Sequence, residues 1–221
     1  MDEHKEPGLI IPLFALPTNV FPGETLPLHV FEDRYKALVA YCLEGPRLGK
    51  LRPFGISLAG NDKLEDIGCA VLIERVVSQY EDGRLDIITV GRERYRTRRV
   101  IREKEYPEIE VDHFGDTVES NSVESADVAI TLYMKIIELA KGEPPKGNME
   151  RSPRLSFELA HNSGLEPGER QVLMEMTSEE DRLQHLIKYY RALIPVLSWR
   201  EDVQSRIRAN GHFRKFPSVK I

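Results

Sequence analysis

At 221 residues, with 41% hydrophobic and 30% charged side chains, the chain can bury one large core or two small ones and has an ordinary globular composition. Its formal net charge of -5 gives no overall attraction to nucleic acid or an anionic membrane, so such contact would need a local basic patch. The only cysteines, Cys42 and Cys69, lie far apart and outside any C-x-x-C, which points to a reducing cytoplasm while leaving one disulfide open.

The uncharged run from Gly8 to Gly23 is the one candidate targeting segment. Pro12, Pro17, Pro22 and Pro27 recur every five residues through and beyond it. Proline in a helix interior costs about 3 kcal/mol, which excludes a signal-peptide core or a membrane span. The mixed-charge leader MDEHKEP agrees, and an intact cytoplasmic protein is expected. The next stretch, NVFPGETLPLHVFEDRY from Asn19 to Tyr35, has two readings. His29, Glu32 and Asp33 could be acid–base groups, or the segment could be a rigid corner between a sheet and a helix.

Strands are expected at Leu9–Phe14 and Thr25–Val30, whose prolines favour edge or first-strand positions, and at Phe54–Ala59. Cys69–Tyr80 and Leu85–Val90 flank Asp82-Gly83, a hairpin in which glycine supplies the positive φ of the turn. Glu93–Ile101 and Glu108–Phe114 complete a series that suggests a small barrel or sandwich. One helix interrupts it, with Phe31, Tyr35, Leu38, Val39 and Cys42 on one face and Gly45-Pro46 as its stop.

The polar segment GDTVESNSVES, from Gly115 to Ser125, reads as a boundary, dividing a β-rich subdomain (1–118) from a helical one (119–221). Helices follow at Asp127–Lys141, from Ser152-Pro153 to Gly164, and from Pro167 to about Met176. Ser178-Glu-Glu-Asp181 resembles a capping box opening a further helix, which Pro195 is expected to kink or end. Arg200–Ala209 reads as a last helix before a basic tail.

Chemical signatures are sparse. The single Gly-Lys pair, Gly49-Lys50, is followed by Leu51, so no phosphate-binding P-loop is present, and H-E-x-x-H, G-x-S-x-G and S-x-x-K do not occur. The six histidines include no pair at i+3 or i+4, and no metal or cofactor site is expected. Arg92, Arg94, Arg96 and Arg98 occupy alternate positions, so on a strand they share one face. That face is either an anion-binding stripe or a solvated surface paired with acids such as Glu74, Glu81 or Asp86. No aromatic–glycine platform accompanies it, which weighs against RNA. Tyr189, Tyr190 and Trp199 could form an aromatic patch, although core packing explains such spacing more often.

Three segments carry a family resemblance. IPLFALPTNVFPGETLPLHVFEDRYKALV, IGCAVLIERVVSQYEDGRLDIITVGRERYRTRRV and RQVLMEMTSEEDRLQHLIKYY resemble the N-terminal substrate-recognition domain of Lon proteases across most of residues 9–190. Departures are mild, among them Ala15 where the family often has proline and Tyr95 where it has phenylalanine. The resemblance implies an α+β fold, with a PUA-like twisted sheet or pseudo-barrel packed on a helical subdomain. It also implies a non-catalytic module that binds unfolded polypeptide or a protein partner, with a separate ATPase or protease as a possible companion. Phe21, Leu26 and Tyr80 are the candidate peptide contacts, and the Arg92–Arg98 stripe is the alternative anionic-ligand site.

Overall fold

The computed structural model describes residues 8–60, 63–101, 104–117, 123–142 and 149–211, with side chains up to Trp199. The strands are β1 (Leu9–Leu16), β2 (Thr25–Val30), β3 (Phe54–Gly60), β4 (Lys63–Gln79), β5 (Leu85–Ile101) and β6 (Glu108–Phe114). The helices are α1 (Asp33–Arg47) between β2 and β3, then α2 (Val123–Lys141), α3 (Leu155–His161), α4 (Pro167–Glu175) and α5 (Glu179–Gly211).

The sheet order is β2-β5-β4-β3-β1-β6, and β6 also pairs with β5. Five strands therefore close into a ring, and β2 stays outside it as an edge strand on the first half of β5. β5 belongs to both parts because it is long: Leu85–Val90 pairs with β2 and Arg94–Ile101 with β6. β1 is not an edge strand. Its residues Leu9–Pro12 pair with β6 and Leu13–Leu16 with β3, so Pro12, which lacks a donor, sits where the pairing changes sides.

Two expected strands, Leu85–Val90 and Glu93–Ile101, are one continuous β5. Gly91 is a docking point rather than a terminator. Its amide and carbonyl bond to Glu24 O and Gly23 N, both at 2.9 Å, and a Cβ there would lie 2.1 Å from the Phe21 carbonyl. The register shift around Arg92 absorbs the join as a bulge.

Inside the ring, Ile11, Leu13, Ala70, Tyr95, Ile109 and Val111 form a closed apolar lumen. Tyr95 fills it, and Gly55 and Gly68 make room: a Cβ on either would lie 2.5 Å from the phenol oxygen. The hydroxyl shares a 2.8 Å hydrogen bond with Ser57 Oγ, so the buried tyrosine is satisfied rather than stranded.

α1 covers the outer face through Tyr35, Leu38, Val39 and Cys42, while Phe31, just before the helix, is 59% exposed. The helix runs past Gly45-Pro46 to Arg47. The largest core cluster joins α2–α5 to Phe21, Ile67 and Cys69 from the strand half, so strands and helices share one interior. α5 opens as its cap predicts, with the Asp181 amide donating to Ser178 Oγ at 3.2 Å. It does not end at Pro195, and residues 200–209 belong to it rather than to a separate helix. Pro195 is exposed, so the carbonyl it leaves unbonded faces water.

Gly68→Ala would press a methyl to 2.4 Å from Ile56 O as well as against Tyr95, and is expected to cost about 3 kcal/mol. Tyr95→Phe leaves Ser57 Oγ without its partner and is expected to cost about 1–2 kcal/mol. Urea unfolding of both variants measures the two effects.

Candidate functional site

The corner from Asn19 to Tyr35 is a latch between strands and helices. Glu24 Oε2 accepts the Phe21 amide at 2.8 Å and Arg170 Nη2 at 2.6 Å, while Glu24 Oε1 meets His161 Nδ1 at 2.7 Å. Arg170 Nε donates to Asn19 Oδ1 at 3.0 Å, and Asn19 Nδ2 donates to Gln171 Oε1 at 3.1 Å. Phe21 is fully buried, 5.1 Å from the Phe157 ring with the Arg170 guanidinium 4.2 Å above it. His29, Glu32 and Asp33 do not converge. His29 meets Asp86 at 2.6 Å on the neighbouring strand, Glu32 holds Arg34, and Asp33 holds Lys36.

A second latch takes one arginine of the alternating series. Arg94, on β5, is buried and donates to Met174 O at 2.9 Å and to Asp116. Asp116 also accepts Arg182 Nη1 at 2.8 Å. Arg182, with no exposed surface, donates to Ser156 Oγ at 2.8 Å and Glu179 Oε2 at 2.6 Å. Burial works against the charge of both arginines. It depresses the pKa of Arg94, whereas the hydrogen bonds that Arg182 donates to Asp116 and Glu179 hold it above its ordinary value.

The alternation survives on β5, with Tyr95 in the lumen and Arg94 and Arg96 outside, both over the Phe114 ring. A continuous stripe does not. Arg98 pairs with Asp112 and Glu110, Arg94 lies beneath the helices, and only Arg92 and Arg96 of the four are exposed. The acids serving the series come from β6 and the loop after it, because β6 is the strand that pairs beside these arginines.

Phe21, Leu26 and Tyr80 are not brought together. Phe21 is interior, Leu26 is half-buried against the α1 core, and Tyr80 is 40% exposed at the hairpin. Tyr80 and His29 both bond to Asp86, and His29 first and Tyr80 second hold that carboxyl below its usual range. The described histidines each meet a carboxylate: His29 with Asp86, His113 with Glu93, His161 with Glu24 and His185 with Glu169. Among the described residues no cluster of His, Cys, Asp or Glu could hold a metal ion. His4 and His212 lie outside them. Tyr190 is core, whereas Trp199 is 68% exposed.

The site that sequence reasoning missed is a cleft of about 760 Å³ at one mouth of the ring. β1, β3 and β5 end there, and β4 and β6 begin there. Leu13, Ala15, Ala59, Leu64, Val100 and Pro107 make it apolar, and Tyr35 adds an aromatic side. Arg34, Lys63 and Lys104 line it, with Glu105 as the only lining carboxylate among the described residues. Such a volume suits a small molecule or a short peptide segment. No local motif announces it, because its residues come from six separate chain segments.

Residues 10–191 match the family described as the ATP-dependent protease La (LON) substrate-binding domain. Lon protease 2 of Syntrophobacter fumaroxidans is 26% identical over 93% of this chain, which spans 27% of that relative's length. The crystal structure of a Lon N-terminal domain protein from Xanthomonas campestris superposes with a TM-score of 0.63 at 26% identity, covering 82% of this chain and 98% of the other. The N-terminal domain of the Mycobacterium avium complex Lon protease shares the fold, with a TM-score of 0.59 at 15% identity, over 83% of this chain and 98% of that one. No helix among the described residues is long and apolar enough to cross a membrane.

Arg182→Ala would strand Asp116 and Glu179 beside a cavity, and is expected to cost about 3–5 kcal/mol in thermal or urea unfolding. Both cysteines are free, and burial pushes each thiol up to about 12. A thiol reagent at pH 8 should therefore modify neither in the folded protein and both in urea. Unfolded thiols lose their protons near pH 8.5, roughly, while the folded ones keep theirs, so stability should fall as pH rises beyond that point.

Proposed function

The chain belongs to the family of LON substrate-binding domains, and we propose that it is a non-catalytic module that recognises polypeptide. The observation that carries this reading is the cleft at the ring mouth, whose lining among the described residues is largely apolar, with cations outnumbering carboxylates. A surface of this kind gains affinity by taking apolar side chains out of water and needs no chemical step. The partner is an unfolded polypeptide or an exposed segment of a protein, met in the cytoplasm, and a separate ATPase or protease would supply any processing. Tyr80 and Leu26 on the arm formed by β2, β4 and β5 are the secondary contacts, whereas reaching Phe21 would require parting the latch.

The anionic-ligand reading has less support. Arg92 and Arg96 are its two exposed members, and two charges release too few counterions for firm nucleic-acid binding in a chain of net charge -5.

A reduced and alkylated globular protein, kept permanently unfolded, is expected to bind, while its native form does not. Raising salt from about 50 to 200 mM should leave most of that affinity intact, because burial of apolar area dominates. Val100→Asp, at a 41% exposed lining position, should weaken binding about tenfold in an anisotropy titration. Equal binding of native and unfolded forms, or none by either, would remove the proposal.

A further inference from the structure

Resting on the polypeptide-recognition reading, we propose that the outer face of the arm takes an arginine side chain of a bound polypeptide. The guanidinium lies on the rings of His29, Phe31 and Tyr80 and forks onto the Asp86 carboxylate.

Strand register brings these groups together. His29 on β2 stands opposite Asp86 on β5, and Asp86 opposite Ser78 on β4, so their side chains share one face. α1 packs on the other face, in one cluster with Val30, Leu85 and Ile87. Phe31 follows β2 directly and Tyr80 follows β4. The His29 ring lies 6.0 Å from that of Phe31 and 6.1 Å from that of Tyr80, which it meets at 74°. The result is a two-walled aromatic corner whose Phe31 and Tyr80 rings stay exposed. Ring faces attract cations, and a flat guanidinium stacks on them as an ammonium does not.

Charge then selects the occupant. Every residue from Phe31 to Lys36 and from Gln79 to Ile88 is described, and pairing leaves an acidic excess. Arg34 is held by Glu32 at 2.7 Å, Lys36 by Asp33 at 3.1 Å and Arg84 by Asp82 at 2.7 Å. Glu81 and Asp86 are the two acids here that no arginine or lysine among the described residues pairs. Arg84 lies 5.0 Å over Tyr80 and covers one face of that ring, but its Nε donates to Asp82. A carboxylate-bearing segment is repelled from such a face and a cationic one is drawn to it.

Asp86 is also set in place. His29 Nδ1 meets its Oδ1 at 2.6 Å, and the Tyr80 hydroxyl donates to Oδ2 at 2.7 Å. A carboxylate offers about four acceptor sites, so each oxygen keeps one for the two parallel N–H groups of a guanidinium. A lysine ammonium lacks the fork that serves both oxygens.

An acetylated and amidated peptide, Gly-Leu-Arg-Leu-Gly, carries arginine as its only charge. In an NMR titration it is expected to bind about fivefold more tightly than its citrulline counterpart, which has the same shape without the charge. The shifts should centre on His29, Phe31 and Tyr80. Asp86→Asn should cancel the difference, and Glu105→Gln, at the ring mouth, should not. Phe31→Ala should weaken both peptides, and melting temperatures check that the variants fold. Equal affinities of the arginine and citrulline peptides, or an arginine preference untouched by Asp86→Asn, would overturn the arginine assignment. If reduced and alkylated protein still binds in that case, polypeptide recognition stands without it. If neither unfolded protein nor peptide binds, both readings fall.

Discussion

Two guanidinium groups withdrawn from water hold the strands and helices in one arrangement. Arg94 on β5 and Arg182 on α5 share Asp116, from the loop after β6, and Glu179 completes the charge balance from the first turn of α5. An apolar contact here would tolerate sliding, whereas this set satisfies its donors in a single register. Charges without water must be paired and hydrogen-bonded, or they oppose folding. Phe157 lies 4.3 Å from the Arg182 guanidinium and 5.4 Å from that of Arg94, so the same aromatic ring serves both. The Glu24–Arg170–His161 set repeats the device elsewhere at the junction, where Phe21 stacks on the Phe157 ring.

With the junction closed, what the molecule leaves open follows from its topology. The ring closes on itself, while the arm of β2, β4 and β5 keeps open edges. Those edges are blunted. Pro27 interrupts the donors of β2, and the far part of β4 carries two register shifts beside Glu74 and Arg75. Strand addition to the arm is thereby discouraged, whereas the concave mouth is lined by side chains from several elements.

Local chemistry was readable where it was sufficient. β2 and β6 have the bounds their alternation predicts, the Asp82-Gly83 turn has Gly83 at φ 82°, and Ser178 caps α5. Long-range chemistry was not. Gly91 looks like a strand break until the Phe21 carbonyl is seen against it, and His29 looks solitary until Asp86 arrives from a neighbouring strand. Arg94 is indistinguishable in sequence from Arg96, although one is interior and the other exposed, because α3, α4 and α5 cover only part of that face. The cleft left no trace for the same reason: its cations lie on separate elements and meet only after the ring closes.

That closure also dictates how the chain must assemble. The ring is sealed by pairing the first strand with the last, Leu9 against Val111, across nearly the whole strand half. The β4–β5 hairpin can form early from neighbouring residues and Leu13–Leu16 can pair with β3, but Leu9–Pro12 must wait until β6 exists. Bringing such distant segments together carries a loop-closure entropy that no local contact offsets, which places this step late and makes it slow. During synthesis this first half of β1 would emerge before the other strands and wait the longest for its partner. Its run of Leu9, Ile10 and Ile11 would then be an exposed apolar segment of the nascent chain, open to mispairing until β6 arrives.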